Sequence, residues 1–519
     1  MFPLAEPDEP RYAEVAREML IRGDWITPHL NYVPFVEKPP LVMWGSALSF
    51  KIFGVNELAA RLPSLAGAAG TIVLIFILAR DMYGRATALL AAAIFATAPF
   101  TAVLSQTLTL DITLTFFVAL ALTAVWFGAR GHRAWYCVAY VAVALGILTK
   151  GPVAAVLVGA TAIPTALLSG GPRALRAALD PLGLVLFGAI AVPWFVLVAW
   201  RNPGFASAFI MQEHVHRFLA SPGHREPIWF FVLLTPLALS PWSMLPLLDW
   251  SLWRGDLTPR RWSSATRFLV LWAATTVAFF SFSSSKLLPY ILPALPPLSI
   301  LVARSYTRAL ERGALRFLGR GSLLCIAGGT GTALAAAILP LVAHHWRIPL
   351  VRPYLFAGAA ALFVTGVVMH RAVAGDRALQ ALGCFTAGSI ALLGVVIGGR
   401  GLATSYRELG HAAAMAARPG DRLAVYAHFI PGIVFYAGQR VVSIRYWGNL
   451  GFGHEHADAG GYFWETDDDL RAAWAAPGRV LLVIDRDELE RLQPPLDPAP
   501  VPIFSEGKKV LVANRPARS

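Results

Sequence analysis

The chain has 519 residues, of which 56% are hydrophobic and only 14% charged, and a mean hydropathy of +0.57 excludes an ordinary soluble globular domain. A formal net charge of +13 does not point to nucleic acid, because basic residues in membrane proteins collect in cytoplasmic loops and meet anionic lipid. Cys137, Cys325 and Cys384 lie within apolar blocks at no metal-ligand spacing and imply no disulfide framework.

Residues 1–10 are neither a signal peptide nor a spanning helix, so the expectation is either a misassigned start, with an in-frame hydrophobic stretch upstream of Met1, or a lost first helix. Tyr12, Val15, Ala16, Met19 and Leu20 then share one face of a short helix, which Gly23 ends as a C′ residue. After Pro39-Pro40 comes a second amphipathic helix, with Leu41, Trp44, Leu48 and Ile52 on one stripe. Two such helices in series predict elements lying along the membrane interface, with Trp25 and Trp44 at headgroup depth.

Apolar blocks predict spans near 62–79, 86–104, 112–129, 135–149, 152–169, 181–200, 228–248, 268–283, 287–303, 321–343, 353–371 and 378–398, about twelve helices in all. With strict alternation, one set of loops carries Arg80 and Arg85, Arg130 and Arg133, Arg173 and Arg176, Arg254 to Arg267, and Arg304 to Arg320. That set is expected in the cytoplasm. The opposite set holds residues 1–61, Ser105 to Asp111, Lys150, Arg201 to Pro227, Ser283 to Lys286 and the tail. Ionisable groups beside spans are costly, so these loops supply the functional candidates.

Beyond Gly399 the pattern changes to short strands at Arg422 to Tyr426, Val441 to Tyr446, Val480 to Ile484 and Val510 to Asn514, with helices at Asp467 to Ala475 and Asp485 to Leu492. The expectation is an all-α polytopic membrane protein with a small C-terminal α/β domain. Its parts would be a first loop at 1–61, a transmembrane bundle at 62–398 and a domain outside the membrane at 399–519.

In Pro7-Asp8-Glu9-Pro10-Arg11-Tyr12, an acid beside proline at a helix start is read most simply, taken alone, as a cap. Asp111, at the outer end of a span, is equally a cap or a functional acid, and Lys150 is a snorkelling side chain or a phosphate contact. Taken together, Asp8-Glu9-x-Arg11-Tyr12-Ala13-Glu14, Gly23-Asp24-Trp25, Glu37-Lys38-Pro39-Pro40 and Gly54-Val55-x-Glu57-x-x-Ala60-Arg61-Leu62-Pro63 resemble the membrane glycosyltransferases that use polyprenyl-phosphate sugars. The likeness is to the aminoarabinose lipid A transferase and protein O-mannosyltransferase type. It is dense over about the first 150 residues and weakest in the tail.

The resemblance implies a GT-C-like helical bundle with periplasmic juxtamembrane helices, set in the bacterial inner membrane with the active site facing the periplasm. The implied partners are membrane lipids, a polyprenyl (undecaprenyl) phosphate-linked sugar donor and a lipid A, other lipid, glycan or protein acceptor. It also implies a catalytic acid at Asp8 and a second at Asp111, with Arg11, Tyr12, Lys38, Lys150, Arg217, Lys286 and Tyr290 around donor or acceptor phosphate. Lys286 and Tyr290 belong to Ser283-Ser284-Ser285-Lys286-Leu287-Leu288-Pro289-Tyr290, where a compact lysine charge and a phenol suit a phosphate oxygen. A divalent cation, zinc or magnesium, between Glu37 and His214 is a further family-based expectation, although two protein ligands fall short of a site. The alternative classes are a transporter or flippase of lipid-linked glycans, which would place ionisable groups near the midplane, and an inactive structural subunit.

Overall fold

A bilayer offers backbone amides no partner outside their own chain, so apolar runs must close their hydrogen bonds as helices. The computed structural model describes residues 2–216, 218, 225–248, 262–312, 315–342, 348–456 and 461–516. Among the described residues, nine helices are long and apolar enough to cross a membrane, or up to ten if one bent pair counts as a span. The protein is therefore a multi-pass membrane protein.

Nine of the twelve expected segments coincide with these long helices, and the other three differ for visible reasons. Residues 86–104 form two helices, Arg85–Thr97 and Pro99–Ser105, bent by 66° where Pro99 cannot continue the first. Residues 228–248 break into Phe230–Ala238 and Met244–Leu248, separated by a turn containing Pro241. Ala134–Lys150 has 17 residues and a length of about 26 Å, at the short limit for a hydrocarbon core of about 30 Å.

The chain divides into two compact units. The first comprises Ser64–Pro193 and Val215–Leu402 and contains most of the helix bundle. Its core includes Trp242, Trp272, Tyr306 and Phe385. The Trp242 indole donates to Thr97 (2.9 Å) and the Tyr306 hydroxyl to the Trp242 carbonyl (2.9 Å), so these two buried side chains keep their polar atoms satisfied, whereas the Trp272 indole nitrogen has no partner among the described residues. Val73, Leu89, Val185 and Val192 instead lie exposed on the outside of their helices, as lipid-facing residues do.

The second unit comprises Met1–Pro63, Trp194–His214 and Ala403–Ser519. It starts with α1 (Asp8–Arg22), a two-stranded hairpin of β1 (His29–Leu30) and β2 (Val33–Pro34), and α2 (Leu41–Phe53). Its C-terminal portion forms one sheet from β3 (Arg422–Tyr426), β4 (Val442–Ile444), β5 (Phe463–Trp464), β6 (Val480–Asp485), β7 (Val501–Glu506) and β8 (Lys509–Ala513), in the order β5-β4-β3-β6-β8-β7. β5, β4, β3 and β6 run parallel, while β8 and β7 add antiparallel strands. Apolar side chains cover both faces of the central strands: Ala424, Val442 and Leu482 belong to one cluster, and Leu423, Val425 and Leu481 to the other.

The amino-terminal segment is stitched onto this sheet by polar contacts far apart in sequence. Asn31 exchanges two hydrogen bonds with the Val441 backbone (2.9 and 2.8 Å). Gly432 N–H donates to the Glu6 carboxylate (2.8 Å), and Leu4 N–H to the Tyr436 hydroxyl (2.8 Å). Within α1, the expected apolar residues Tyr12, Val15, Ala16 and Met19 are buried, and Gly23 takes the left-handed C′ conformation at φ 67°. The opposite face is buried too. Glu14 and Arg17 pair there (2.5 Å), and Glu9 meets Arg61 through two parallel bonds of 2.7 and 2.8 Å.

The Glu9–Arg61 pair is nearly inaccessible on both sides, with side-chain exposures of 1% and 5%. Removing one partner of such a pair leaves an uncompensated buried charge and costs about 3–5 kcal/mol. Arg61→Ala is expected to lower the thermal midpoint of the detergent-solubilised protein by several degrees, and Glu9→Gln in the same background is expected to recover part of the loss. Unchanged melting of Arg61→Ala would refute this weight for the pair.

Candidate active site

The candidate residues fall into two clusters, one in each unit. The first is built on α1 and the Glu37-Lys38 loop before α2. Asp8 occupies the first turn of α1, and no side chain caps that end. Its carboxylate instead accepts from Arg11 three residues on, and it remains half-exposed while Arg11 is largely covered. The Arg11 guanidinium lies over the Tyr12 ring, 5.2 Å from its centre.

Burial works against the charge on Arg11, yet Tyr12, Asp8 and Glu37 outweigh it and hold the guanidinium above its usual range. Its Nε is buried without a hydrogen-bond partner among the described residues. An unsatisfied cationic donor beside a solvent-facing carboxylate is suited to an anionic ligand.

Lys38 Nζ donates to the Glu213 carboxylate (2.6 Å) and to the Glu37 carbonyl (3.1 Å). The Glu37 carboxylate is held by the Asn449 side-chain amide (2.7 Å). Lys38 is thus fixed as a positioned donor rather than a mobile surface charge.

The second cluster lies at the ends of helices in the bundle unit. Asp111 is in the first turn of the helix Leu110–Ala129, and Lys150 is the last residue of Ala134–Lys150, where a cation complements the helix dipole. Lys150 donates to the Asp111 carboxylate, and its ammonium stands over the Tyr290 ring, 4.1 Å from the centre. The structure therefore joins three candidates separated by up to 179 residues in the chain (290 − 111). Lys286 is buried, and its Nζ donates to the Ser283 carbonyl (2.7 Å), so the partner demanded by a lysine in that setting comes from its own loop.

Arg217 lies outside the described residues, as do His344 and His345, and of the His214 side chain nothing is described. Among the described residues there is no group of three histidine, cysteine, aspartate or glutamate side chains able to hold a metal ion. With Glu37 engaged by Asn449, the described side chains do not fit a protein-only cation site, and no chemical step is routed through one.

Comparison with known proteins agrees with this architecture. Residues 37–197 match a family model described as dolichyl-phosphate-mannose-protein mannosyltransferase. An undecaprenyl phosphate-alpha-4-amino-4-deoxy-L-arabinose arabinosyl transferase of Erwinia tasmaniensis is 29% identical over 408 residues, covering 76% of this chain and 72% of the relative. The protein of the same name from Yersinia pestis is 30% identical over 346 residues, covering 65% of this chain and 62% of the relative. The match therefore spans rather less than two thirds of the Yersinia protein.

Among solved structures, ArnT from Cupriavidus metallidurans bound to undecaprenyl phosphate superposes with a TM-score of 0.84 at 27% identity, covering 99% of this chain and 95% of that one. The archaeal oligosaccharyltransferase AglB from Archaeoglobus fulgidus shares the fold alone, at a TM-score of 0.50 and 12% identity. The chain is thus similar, in sequence and in fold, to membrane glycosyltransferases that use polyprenyl-phosphate sugars.

In this glycosyltransferase the side chains that sequence reading passed over are the carboxylates facing its cations. Glu213 immediately precedes His214, the histidine expected as a cation ligand. Glu6 stands two residues before Asp8. Its burial pushes the carboxyl up to about 7, with Asp8 adding to the rise and Gly432 N–H and Arg11 opposing it. No sequence signal marks Glu6, because its burial comes from the helix Pro431–Ala437, more than 400 residues away.

A carboxyl raised in the folded state is protonated there while the unfolded chain is already ionising. Its contribution favours folding below about pH 4.5 and is lost as pH rises to about 7. Glu6→Gln should therefore gain in melting temperature over the wild type as pH rises from 5 to 8. A constant difference across that range, measured by thermal unfolding in detergent, would contradict the assignment.

Proposed function

We propose that the chain moves a sugar from polyprenyl (undecaprenyl) phosphate to an acceptor outside the cytoplasm by a single inverting displacement. The observation that carries this reading is the Asp8–Arg11 pair, in which a half-exposed carboxylate adjoins a buried, unsatisfied guanidinium nitrogen. Such a pair places an acceptor-side base beside an anion-binding donor, and transfer from a phosphate ester needs both. The match over nearly the whole chain to a transferase solved with undecaprenyl phosphate supports the donor class.

In the proposed reaction the acceptor oxygen attacks the anomeric carbon and the bond to the polyprenyl phosphate oxygen breaks. The bonding electrons leave with the phosphate, and the carbon inverts. Arg11, Tyr12 and Lys38 in one unit, and Lys150, Lys286 and Tyr290 in the other, are proposed to bind donor or acceptor phosphate. Arg217 joins them on its sequence position. Paired lysines spend no reorganisation when negative charge develops on the leaving oxygen. Asp111 holds the Lys150 ammonium in place.

If the acceptor is a hydroxyl, its proton passes to Asp8. A lipid A phosphate is already anionic and needs Asp8 only for orientation. Loop arginine placement supports an active face on the periplasmic side of the bacterial inner membrane, and about twelve crossings remain the proposed topology. The residues 399–519 are proposed as a periplasmic portion. A divalent cation near Glu37 and His214 would depend on donor phosphate oxygens to complete its shell.

The test follows label from a polyprenyl-phosphate sugar into acceptor in membranes. For a hydroxyl acceptor, Asp8→Asn should lower kcat by roughly 10²- to 10⁴-fold. Lys38→Ala should raise the KM for donor and lower kcat/KM. Wild-type turnover in both variants would remove the first loop from the reaction, and donor crossing the membrane with its sugar bond intact would favour a flippase.

A further inference from the structure

The C-terminal sheet contains a second place built for a ligand. In the order β5-β4-β3-β6, the chain runs from β3 outward through β4 to β5, then returns to the other side of β3 as β6. All four strands are parallel, so β3 and β6 flank a topological switch point. In open parallel sheets the crevice beyond the carboxyl ends of the strands at such a point is the preferred ligand position. A cavity of about 410 Å³ lies there, lined by Tyr426 at the end of β3 and Ala427 just past it, Arg445 after β4, Asp467, and Glu488 and Arg491 after β6. That volume falls in the range of small-molecule sites, about 300–1,000 Å³.

Three features distinguish this cavity from a surface crevice. Ala427 and Arg445, each just past the end of its strand, both adopt positive φ, at 56° and 55°. A non-glycine residue in that region is strained, and such strain collects at ligand clamps. The Arg445 side chain is oriented by Tyr426 OH (3.1 Å) and both Asp467 oxygens (3.3 and 3.2 Å), all through a single nitrogen, Nη1. Arg491 makes no side-chain hydrogen bond or ion pair among the described residues, and the buried Glu488 Oε2 also lacks a partner. Two guanidinium groups with unused donors thus border the same space as Glu488.

The chemistry of the walls selects among ligands. After β3 the chain reads Ala427-His428-Phe429-Ile430-Pro431, with no glycine-rich turn to bring backbone amides to a pyrophosphate. The following helix end is already engaged, because Gly432 N–H donates to Glu6. A dinucleotide is therefore disfavoured. Arginine forks match phosphate oxygens, and a carboxylate acceptor beside a phenol matches sugar hydroxyls.

We propose that this cavity binds a phosphorylated sugar, with Arg445 and Arg491 on the phosphate and Glu488 and Tyr426 on ring hydroxyls. The site stands on its own residues and does not require the transfer reaction proposed above. Two sources present this chemistry: the phosphorylated glycan headgroup of a lipid acceptor, and a free sugar phosphate.

The experiment uses the full-length protein in nanodiscs and ligand-observed NMR titration with glucosamine 1-phosphate, glucosamine and inorganic phosphate. Glucosamine 1-phosphate should bind more tightly than either fragment. Arg491→Ala should weaken it roughly ten- to a hundredfold, as loss of a charge-assisted contact does. Glu488→Gln should weaken the sugar phosphate while leaving inorganic phosphate unaffected. Arg491 is exposed and unpaired, so its variant tests the site even if Arg445→Ala, which frees Asp467, fails to fold.

If the KM for a phosphorylated acceptor rises in Arg491→Ala at unchanged donor KM, the occupant is the acceptor headgroup. If sugar phosphate binding falls in that variant while both KM values hold, the occupant is the free sugar phosphate. Either result upholds the site, and absence of transfer in the wild type would bear only on the proposed reaction. No binding of glucosamine 1-phosphate to the wild type, or equal binding to Arg491→Ala, overturns the proposal.

Discussion

The buried Glu9–Arg61 pair is the contact on which the first loop depends. Consecutive residues of a helix point about 100° apart, so fixing Glu9 inward turns Asp8 outward. The exposures follow, with the Glu9 side chain at 1% and that of Asp8 at 51%. Arg61 also donates to the carbonyls of Phe2 and Pro3 (2.8 and 2.9 Å), which ties the residues before α1 to the same guanidinium. A planar fork with five donors can satisfy a carboxylate and two carbonyls at once, which a lysine ammonium could not do with the same geometry. The pair's main consequence is orientation, because a buried ion pair is weak evidence for net stability.

A similar economy governs the cations. A lone lysine near a bilayer is costly, so each candidate lysine has acquired an oxygen: Lys38 from Glu213, Lys150 from Asp111 and Lys286 from the Ser283 carbonyl. These partners fix the positions of the ammonium groups before any ligand arrives. In the proposed reaction a phosphate would enter a field already arranged for it, which is the condition under which charge stabilisation lowers a barrier rather than merely tightening binding.

The sequence showed the parts of this protein that depend on local pattern. Apolar runs marked nine long helices, and β-branched clusters marked β3, β4, β6 and β8 to within a few residues. β7 is not among the strands expected from the sequence, yet an edge strand tolerates Pro502, and the register shifts between Pro502 and Phe504. β5 has only two residues and offers no period to detect. Nothing local in the sequence marks Glu9, Glu14 and Arg17 on the charged face of α1 as buried, because their partners and covering elements come partly from distant sequence. For the site, resemblance supplied Asp8, Lys38, Asp111 and Lys150, but the pairing of the last two and the role of Glu213 required the chain in three dimensions.

The hairpin between α1 and α2 shows how distant sequence sustains local strain. Its two turn residues, Asn31 and Tyr32, both take positive φ, at 54° and 65°, as a tight two-residue turn requires. Neither is glycine, and tyrosine is poorly suited to that conformation. The surroundings compensate: the Asn31 amide is locked by both polar groups of Val441, and Tyr32 N–H donates to the buried Glu18 carboxylate (2.9 Å). Val441 leads directly into β4, whose far end places Arg445 at the sheet cavity. The residue that anchors the first-loop hairpin is therefore four positions from a residue lining the sheet cavity. A change in β4 register would disturb both, which makes this short buried strand the shared structural dependence of the transfer loop and the sheet cavity.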